Sequence, residues 1–214
     1  NTADNEGGVF FLSYFNLLNT IELNSSYIES NTAINGAIFS SNYDKIILYN
    51  NHIFNNTANN GGILFKSIYN GINHLQLISE SNEYKSNKAN HGAVYHILDE
   101  KTYINITKDL IIKNEATNGG FLYSNARNLH VNIRNCIITE NIVHSGIFHI
   151  IGNDNSMLLS NNSVYFNIGH LGTLLYNSGG YSYIYYNNFF LFFDFRKKQK
   201  IYFNYSGYSI NYDY

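Results

Sequence analysis

Short stretches in which apolar and polar residues alternate recur along the chain. Ile21 and Leu23, Ile46 and Leu48, Ile104 and Ile106, Val131 and Ile133, and Met157 and Leu159 each enclose a single intervening position. Alternation with period two is the signature of a half-buried strand, and these stretches lack helical spacing. The third copy departs from the pattern, with Leu77 followed by Ser79. Further columns follow each pair. Asn31, Asn56, Asn87, Asn114, Asn141 and Asn167 stand five residues before Gly36, Gly61, Gly92, Gly119, Gly146 and Gly172, glycines separated by 25, 31, 27, 27 and 26 residues. Three residues before each Asn is Ile28, Ile53, Tyr84, Ile111, Ile138 or Val164, and two after it is Ala33, Ala58, Ala89, Ala116, Val143 or Gly169. Two residues after each Gly is Ile38, Ile63, Val94, Phe121, Phe148 or Leu174. A partial copy, Asn1-Thr2-Ala3 and then Gly7-Gly8-Val9, opens the chain.

A repeat of this period marks a solenoid. Three apolar stretches per repeat predict three strands per coil, with coils stacked at about 4.8 Å. The expected fold is all-β: a right-handed single-stranded parallel β-helix, a pectin-lyase-like solenoid, with about seven coils of roughly 27 residues and a length of roughly 34 Å. Apolar columns would fill its interior. Gly and Ala would mark corners, and the Asn amides would bond along the stack at a corner. A propeller blade needs about 40 residues, and a sandwich keeps no fixed register. Residues 1–176 are expected to form the repeats, and 177–214 a degenerate aromatic-rich final coil or linker. From residue 181 onward, fifteen of 34 residues are Tyr or Phe, including Phe189, Phe190, Phe192 and Phe193, followed by Arg196, Lys197, Lys198 and Lys200. A distorted last coil covering an open end is expected there, with an interfacial membrane contact as the alternative.

Composition sharpens this picture. The 214 residues include 37 Asn, 27 Ile and 20 Tyr, with no Pro and no Trp. AT-rich codon usage accounts for part of that excess but not for its placement in columns. Strand-forming Ile and Tyr alternate with turn-forming Asn, and the absence of Pro suits unbroken ladders. The formal net charge of −2 excludes a general nucleic-acid binder. A single cysteine, Cys136, excludes an internal disulfide framework and a Cys-based zinc site. No apolar run is long enough for a spanning helix. The chain starts without Met or a leader, and a piece of a longer protein is expected.

Candidate chemistry is sparse. Glu80, Glu83 and Asp109 fall at neighbouring repeat positions, and Asp99 and Glu100 are adjacent; solvated surface acids are expected rather than a catalytic set. His144 and His170 share a column two residues before the Gly, with His91 one position later. A surface corner pair is expected rather than a metal site. Phe11, Phe65, His96, Tyr123 and Tyr176 stand four residues after their Gly; an interior stack is expected, an outward line that stacks on sugar rings being the alternative. Sequons at Asn24, Asn55, Asn105, Asn161 and Asn204 are no more than composition supplies. No hydrolase elbow, phosphate loop or calcium nonapeptide is present, and no catalytic residue, metal or cofactor is expected.

The segments Tyr84-x-x-Asn87 with Gly92-Ala93-Val94, and Ile53-x-x-Asn56 with Gly61-Gly62-Ile63, resemble the paired Gly-Gly-Ala-(Ile/Leu/Val) and Phe-x-x-Asn motifs of chlamydial polymorphic outer membrane proteins. Asn35-Gly36-Ala37-Ile38 and Gly119-Gly120-Phe121-Leu122 are similar. Related repeats occur in surface proteins of parabasalid protists such as trichomonads, which the Asn-Ile-Tyr bias resembles more. The resemblance covers residues 1–176. It departs in using Ile, Val or Tyr for Phe, and Ser145-Gly146-Ile147-Phe148 and Leu171-Gly172-Thr173-Leu174 lack the second small residue. It implies a cell-surface or secreted β-helix contributing to adhesion, without catalytic residues. Its partners would be host-cell glycans or surface proteins, with any membrane attachment outside this chain. The alternatives are a carbohydrate-active β-helix enzyme and a purely structural stalk.

Overall fold

A computed structural model describes residues 1–12, 20–41, 45–67, 75–98, 100–171, 173–178, 180–190, 193–194 and 204–205. These residues contain strands and no helix, wound into a parallel β-helix of about six turns of about 27 residues. Each coil carries four strands rather than the expected three, and four parallel sheets run along the rod. The first sheet stacks Thr20–Asn24, Lys45–Tyr49, Gln76–Glu80, Tyr103–Thr107, His130–Arg134, Asn155–Ser160 and Gly180–Tyr185. The second stacks Tyr27–Glu29, His52–Phe54, Glu83–Lys85, Leu110–Ile112, Ile137–Thr139, Ser163–Tyr165 and Asn188–Phe190. The third runs from Thr32–Asn35 through Thr57–Asn60, Lys88–His91, Glu115–Asn118, Ile142–Ser145 and Ile168–Leu171 to Phe193–Asp194. The fourth runs from Phe10–Leu12 through Phe39–Ser41, Leu64–Lys66, Tyr95–Ile97, Leu122–Ser124, Phe148–Ile150 and Leu175–Asn177 to Asn204–Tyr205.

The extra strand arises because the stretch around the Asn column is cut in two. The residue before each ladder Asn has a left-handed backbone: Ser30, Asn55, Ser86, Lys113, Glu140 and Phe166 lie at φ 53 to 57°. Such a conformation is uncommon for non-glycine residues and turns the chain within one position. The Asn that follows stabilises the corner by bonding in both directions along the rod. Asn114 is typical. Its Nδ2 donates to Asn141 Oδ1 on one neighbouring coil at 3.1 Å and to Tyr84 O on the other at 2.9 Å. Its Oδ1 accepts from the Asn87 backbone N at 3.0 Å and from Asn87 Nδ2 at 3.1 Å. The series runs from Asn31 through Asn167, every member at most 3% exposed. Asn1 extends it by donating to Asn31 Oδ1 at 3.0 Å.

A second corner follows the same grammar five residues earlier. Ser25, Asn50, Ser81, Lys108, Asn135, Asn161 and Tyr186 take left-handed φ, each followed by Ser26, Asn51, Asn82, Asp109, Cys136, Asn162 or Asn187. Asn51 Nδ2 donates to Asn82 Oδ1 and to Leu23 O, and Asn162 Nδ2 donates to Asn187 Oδ1 and to Ile133 O. Sequence reading passes over this ladder because Ser, Asp and Cys interrupt its Asn. The same grammar generates sequons: Asn55 and Asn161 are exposed corner residues followed by a ladder Asn and a strand-opening Thr57 or Ser163.

The third corner is the glycine column. Gly36, Gly61, Gly92, Gly119 and Gly146 have φ between 57 and 68°. A Cβ on Gly92 would stand 2.0 Å from Tyr95 O, so the chain doubles back too tightly for any side chain. Gly172 lies outside the described residues. After this turn two successive residues point inward: Ile38 and Phe39, Ile63 and Leu64, Val94 and Tyr95, and Phe121 and Leu122 all belong to the core. The fifth copy is one residue shorter. Ile147 therefore takes the first of these places, and Phe148 pairs with Leu122 instead of occupying the column of Phe121. The alternating pairs of the first sheet and the residues three before each Asn complete the interior.

Candidate binding surface

Inside the rod, one polar cluster replaces part of the apolar core. Asp109 sits where the second ladder elsewhere has Asn, and it is 1% exposed. The expectation of a solvated surface acid is corrected at this position. The reason is register, since the residue after a left-handed corner is drawn inward. Asp109 Oδ1 accepts from the Asn82 backbone N at 2.8 Å, and Ser79 Oγ donates to Asp109 Oδ2. Ser79, the polar departure in the alternating pairs, also meets Tyr84 OH at 2.7 Å, which meets Tyr95 OH at 2.6 Å. Burial pushes the Asp109 carboxyl up to about 7; its hydrogen bonds with Ser79 and Asn82 oppose the shift, and nearby Glu80 adds to it. Burial likewise raises both tyrosines.

Cys136, one coil along the same ladder, is 1% exposed, and burial pushes its thiol up to about 12. A buried thiol so far from its thiolate is unreactive. In a timed assay with an aromatic disulfide reagent, native protein should leave Cys136 unmodified, with full modification only after denaturant is added. Modification of the native protein within minutes would contradict the burial.

Glu80 and Glu83 face outward and pair across coils, as do Glu115 and Glu140. Glu80 meets Lys108 Nζ at 3.1 Å, and Glu83 meets His52 Nδ1 at 3.0 Å. Glu115 meets Lys88 at 2.8 Å, and Glu140 meets Lys113 at 3.4 Å. Each such exposed pair contributes only about 0–1 kcal/mol. The structure therefore does not bring Glu80, Glu83 and Asp109 together. Asp99 lies outside the described residues; Glu100 is exposed. His144 and His170 sit on the outer face of the third sheet with ring centroids 5.2 Å apart. Among the described residues no group of three His, Cys, Asp or Glu is placed to hold a metal ion.

The column four residues after the Gly points outward, not inward as expected. The preceding residue of each strand already fills the core, and period two turns the next one to the other face. The structure also completes the column. Ser40, Phe65, His96, Tyr123, His149 and Tyr176 are consecutive register partners. The side chain of Phe11 lies outside the described residues. This line is nevertheless largely covered by its own neighbours: His96 is 5% exposed, between Phe65 at 5.2 Å and Tyr123 at 4.8 Å, with His91 5.8 Å away. Burial, with a smaller contribution from His91, pushes His96 down to about 3, so its imidazole stays neutral.

Among the described residues, depressions open on the outer faces of the third and first sheets. On the third sheet a groove of about 490 Å³ is lined by Ala58, Ala89, Ala116, the Lys88–Glu115 pair, His144 and His170, among others. On the first sheet a depression of about 240 Å³ is lined by Tyr103, Asn105, His130, Asn132, Ser156 and Tyr183, among others. The Tyr103 and His130 rings stack at 4.9 Å and 15°. His130 Nδ1 meets Ser156 Oγ at 2.7 Å, and Arg134 Nε donates to Asn132 Oδ1 at 2.8 Å.

In the last described turn, Gly180–Tyr185, Asn188–Phe190, Phe193–Asp194 and Asn204–Tyr205 pair with the preceding coil in all four sheets. The basic residues Arg196, Lys197, Lys198 and Lys200 and the aromatic Phe192 lie outside the described residues. No helix of the described chain is long and apolar enough to cross a membrane. Comparison with protein-family models, with curated proteins and with solved structures finds no match to this chain.

Proposed function

We propose that this chain is a non-catalytic, adhesin-like β-helix scaffold, displayed at a cell surface or secreted, which presents a rigid binding face to glycans or surface proteins. The observation that carries this reading is the division of labour between inside and outside. The ladder amides are committed to bonds between coils, which leaves the outer columns as the surface available for recognition. Stability summed over coil interfaces suits a rod that holds side chains at fixed spacing. The resemblance of the Asn–Gly repeat to polymorphic outer membrane protein repeats supports the same reading. Fluorescently labelled protein is expected to bind cultured epithelial cells or extracellular matrix saturably, with competition by unlabelled protein. Binding at background level on every surface would overturn the reading. Release of reducing ends from a polysaccharide panel would replace it with an enzymatic one.

A further inference from the structure

Resting on the scaffold reading, we infer that the outer face of the first sheet, around Tyr103 and Tyr183, is a binding platform for a neutral oligosaccharide. Two adjacent columns build it. One runs Tyr103, His130, Ser156 and Tyr181, and the other Asn105, Asn132, Leu158 and Tyr183, all in parallel register. Tyrosine rings stand at both ends of the four rungs, and His130, Asn132, Ser156 and the apolar Leu158 lie between them. Tyr103, Tyr181 and Tyr183 are 45%, 56% and 45% exposed. Exposed large aromatics are unfavourable in water, so three on one face mark a surface that gains by being covered.

The chemistry selects the occupant. A pyranose presents an apolar C–H face and a rim of hydroxyls. Tyrosine accepts the C–H face on its negative ring surface and offers its own hydroxyl. Side-chain amides both donate to and accept from sugar hydroxyls. Here they are ordered before any ligand arrives: Arg134 holds Asn132, and Asn132 Nδ2 donates to Asn105 Oδ1 at 3.3 Å. The depression has no Asp, Glu, Lys or Arg in its lining. Arg134 stands at the rim with its Nε committed to Asn132, and no side chain of the lining itself would pair with a carboxylate or sulfate, which favours uncharged sugars. Four rungs span about 14 Å, the reach of about three linked pyranose rings. The larger third-sheet groove contrasts with this face, since it carries the Lys88–Glu115 pair and has no Tyr or Phe in its lining.

The test is titration of the whole chain with maltotriose, cellotriose, mannotriose and N-acetylchitotriose, and with trigalacturonate as the acidic probe. Calorimetry and saturation-transfer NMR would be the readouts. At least one neutral trisaccharide should bind and saturate. Tyr103→Ala and Tyr183→Ala should each weaken it by about tenfold with unchanged far-UV dichroism, an effect of the size expected for one stacking contact. Tyr183→Phe should retain most of the affinity, and His144→Ala in the other groove should leave it unchanged. The inference is overturned if no neutral trisaccharide binds, if trigalacturonate binds better, or if the tyrosine variants bind like the parent. Cell-surface binding that survives in both tyrosine variants would sink the platform and leave the scaffold reading intact. Loss of all surface binding in the parent itself would sink both.

Discussion

Replacing Asn114 by Ala should destabilise the protein by about 3–5 kcal/mol, measured by urea unfolding. The side chain gives two hydrogen bonds, to Asn141 Oδ1 and Tyr84 O, and receives two from Asn87. Alanine leaves the Asn87 backbone N–H and the Tyr84 carbonyl without these partners in a region that water does not reach. Each buried group left unsatisfied costs about 1–3 kcal/mol. The loss is large against the roughly 5–15 kcal/mol that holds a typical domain together. Asn59→Ala is the control. Asn59 is exposed on the third sheet, two residues beyond the strand-opening Thr57, and its replacement should change stability by no more than about 0.5 kcal/mol. Equal effects at the two positions would mean that the ladder is decorative.

The second large effect concerns pH. Asp109 titrates at about 7 in the folded rod against 3.8 for the free group. Between those values the folded state holds a proton that the unfolded state has released, so stability must fall as pH rises. The contribution is complete below about pH 4 and is lost as pH passes through 7. A gap of about three units corresponds to about 4 kcal/mol. The surrounding hydroxyls accommodate both forms. When protonated, the carboxyl donates toward Ser79 and the chain runs on to Tyr84 and Tyr95; when ionised, it accepts from Ser79 and the chain reverses. The raised tyrosines and Cys136 stay neutral throughout this range. Asp109→Asn restores the ladder amide and removes the charge. Urea unfolding at pH 5, 6, 7 and 8 should give the variant a flatter profile, with most of its advantage at pH 8. The exposed acids are common to both proteins and cancel in the difference. Parallel profiles would show that Asp109 does not carry this dependence.

The repeat was legible because a solenoid writes each coil in the same register. Ile104, Ile106, Ile111, Asn114 and Gly119 recur at matching offsets in the neighbouring repeats, and each met its expected environment. The strand count was less legible. Strands of three or four residues on either side of a single left-handed corner read as one apolar stretch, and residues as different as Ser30, Lys113 and Phe166 adopt that corner conformation. The second ladder was hidden for a related reason, since Asp109 and Cys136 share a backbone position with Asn51 and Asn162 but no side-chain type.

Periodicity alone therefore determined the parallel β-helix, the Asn ladder at a corner and the glycine turn, because each depends on contacts between equivalent positions one repeat apart. Tertiary structure alone decided which way the aromatic column faces, that Asp109 is buried beside Ser79, and that Tyr103 and His130 stack on an open face beside Tyr183. Those outcomes depend on how sharply the chain turns at each corner. Asp109 lies one residue beyond a turn that draws it inward, and a difference of one position past the glycine moves a side chain from the core to the surface.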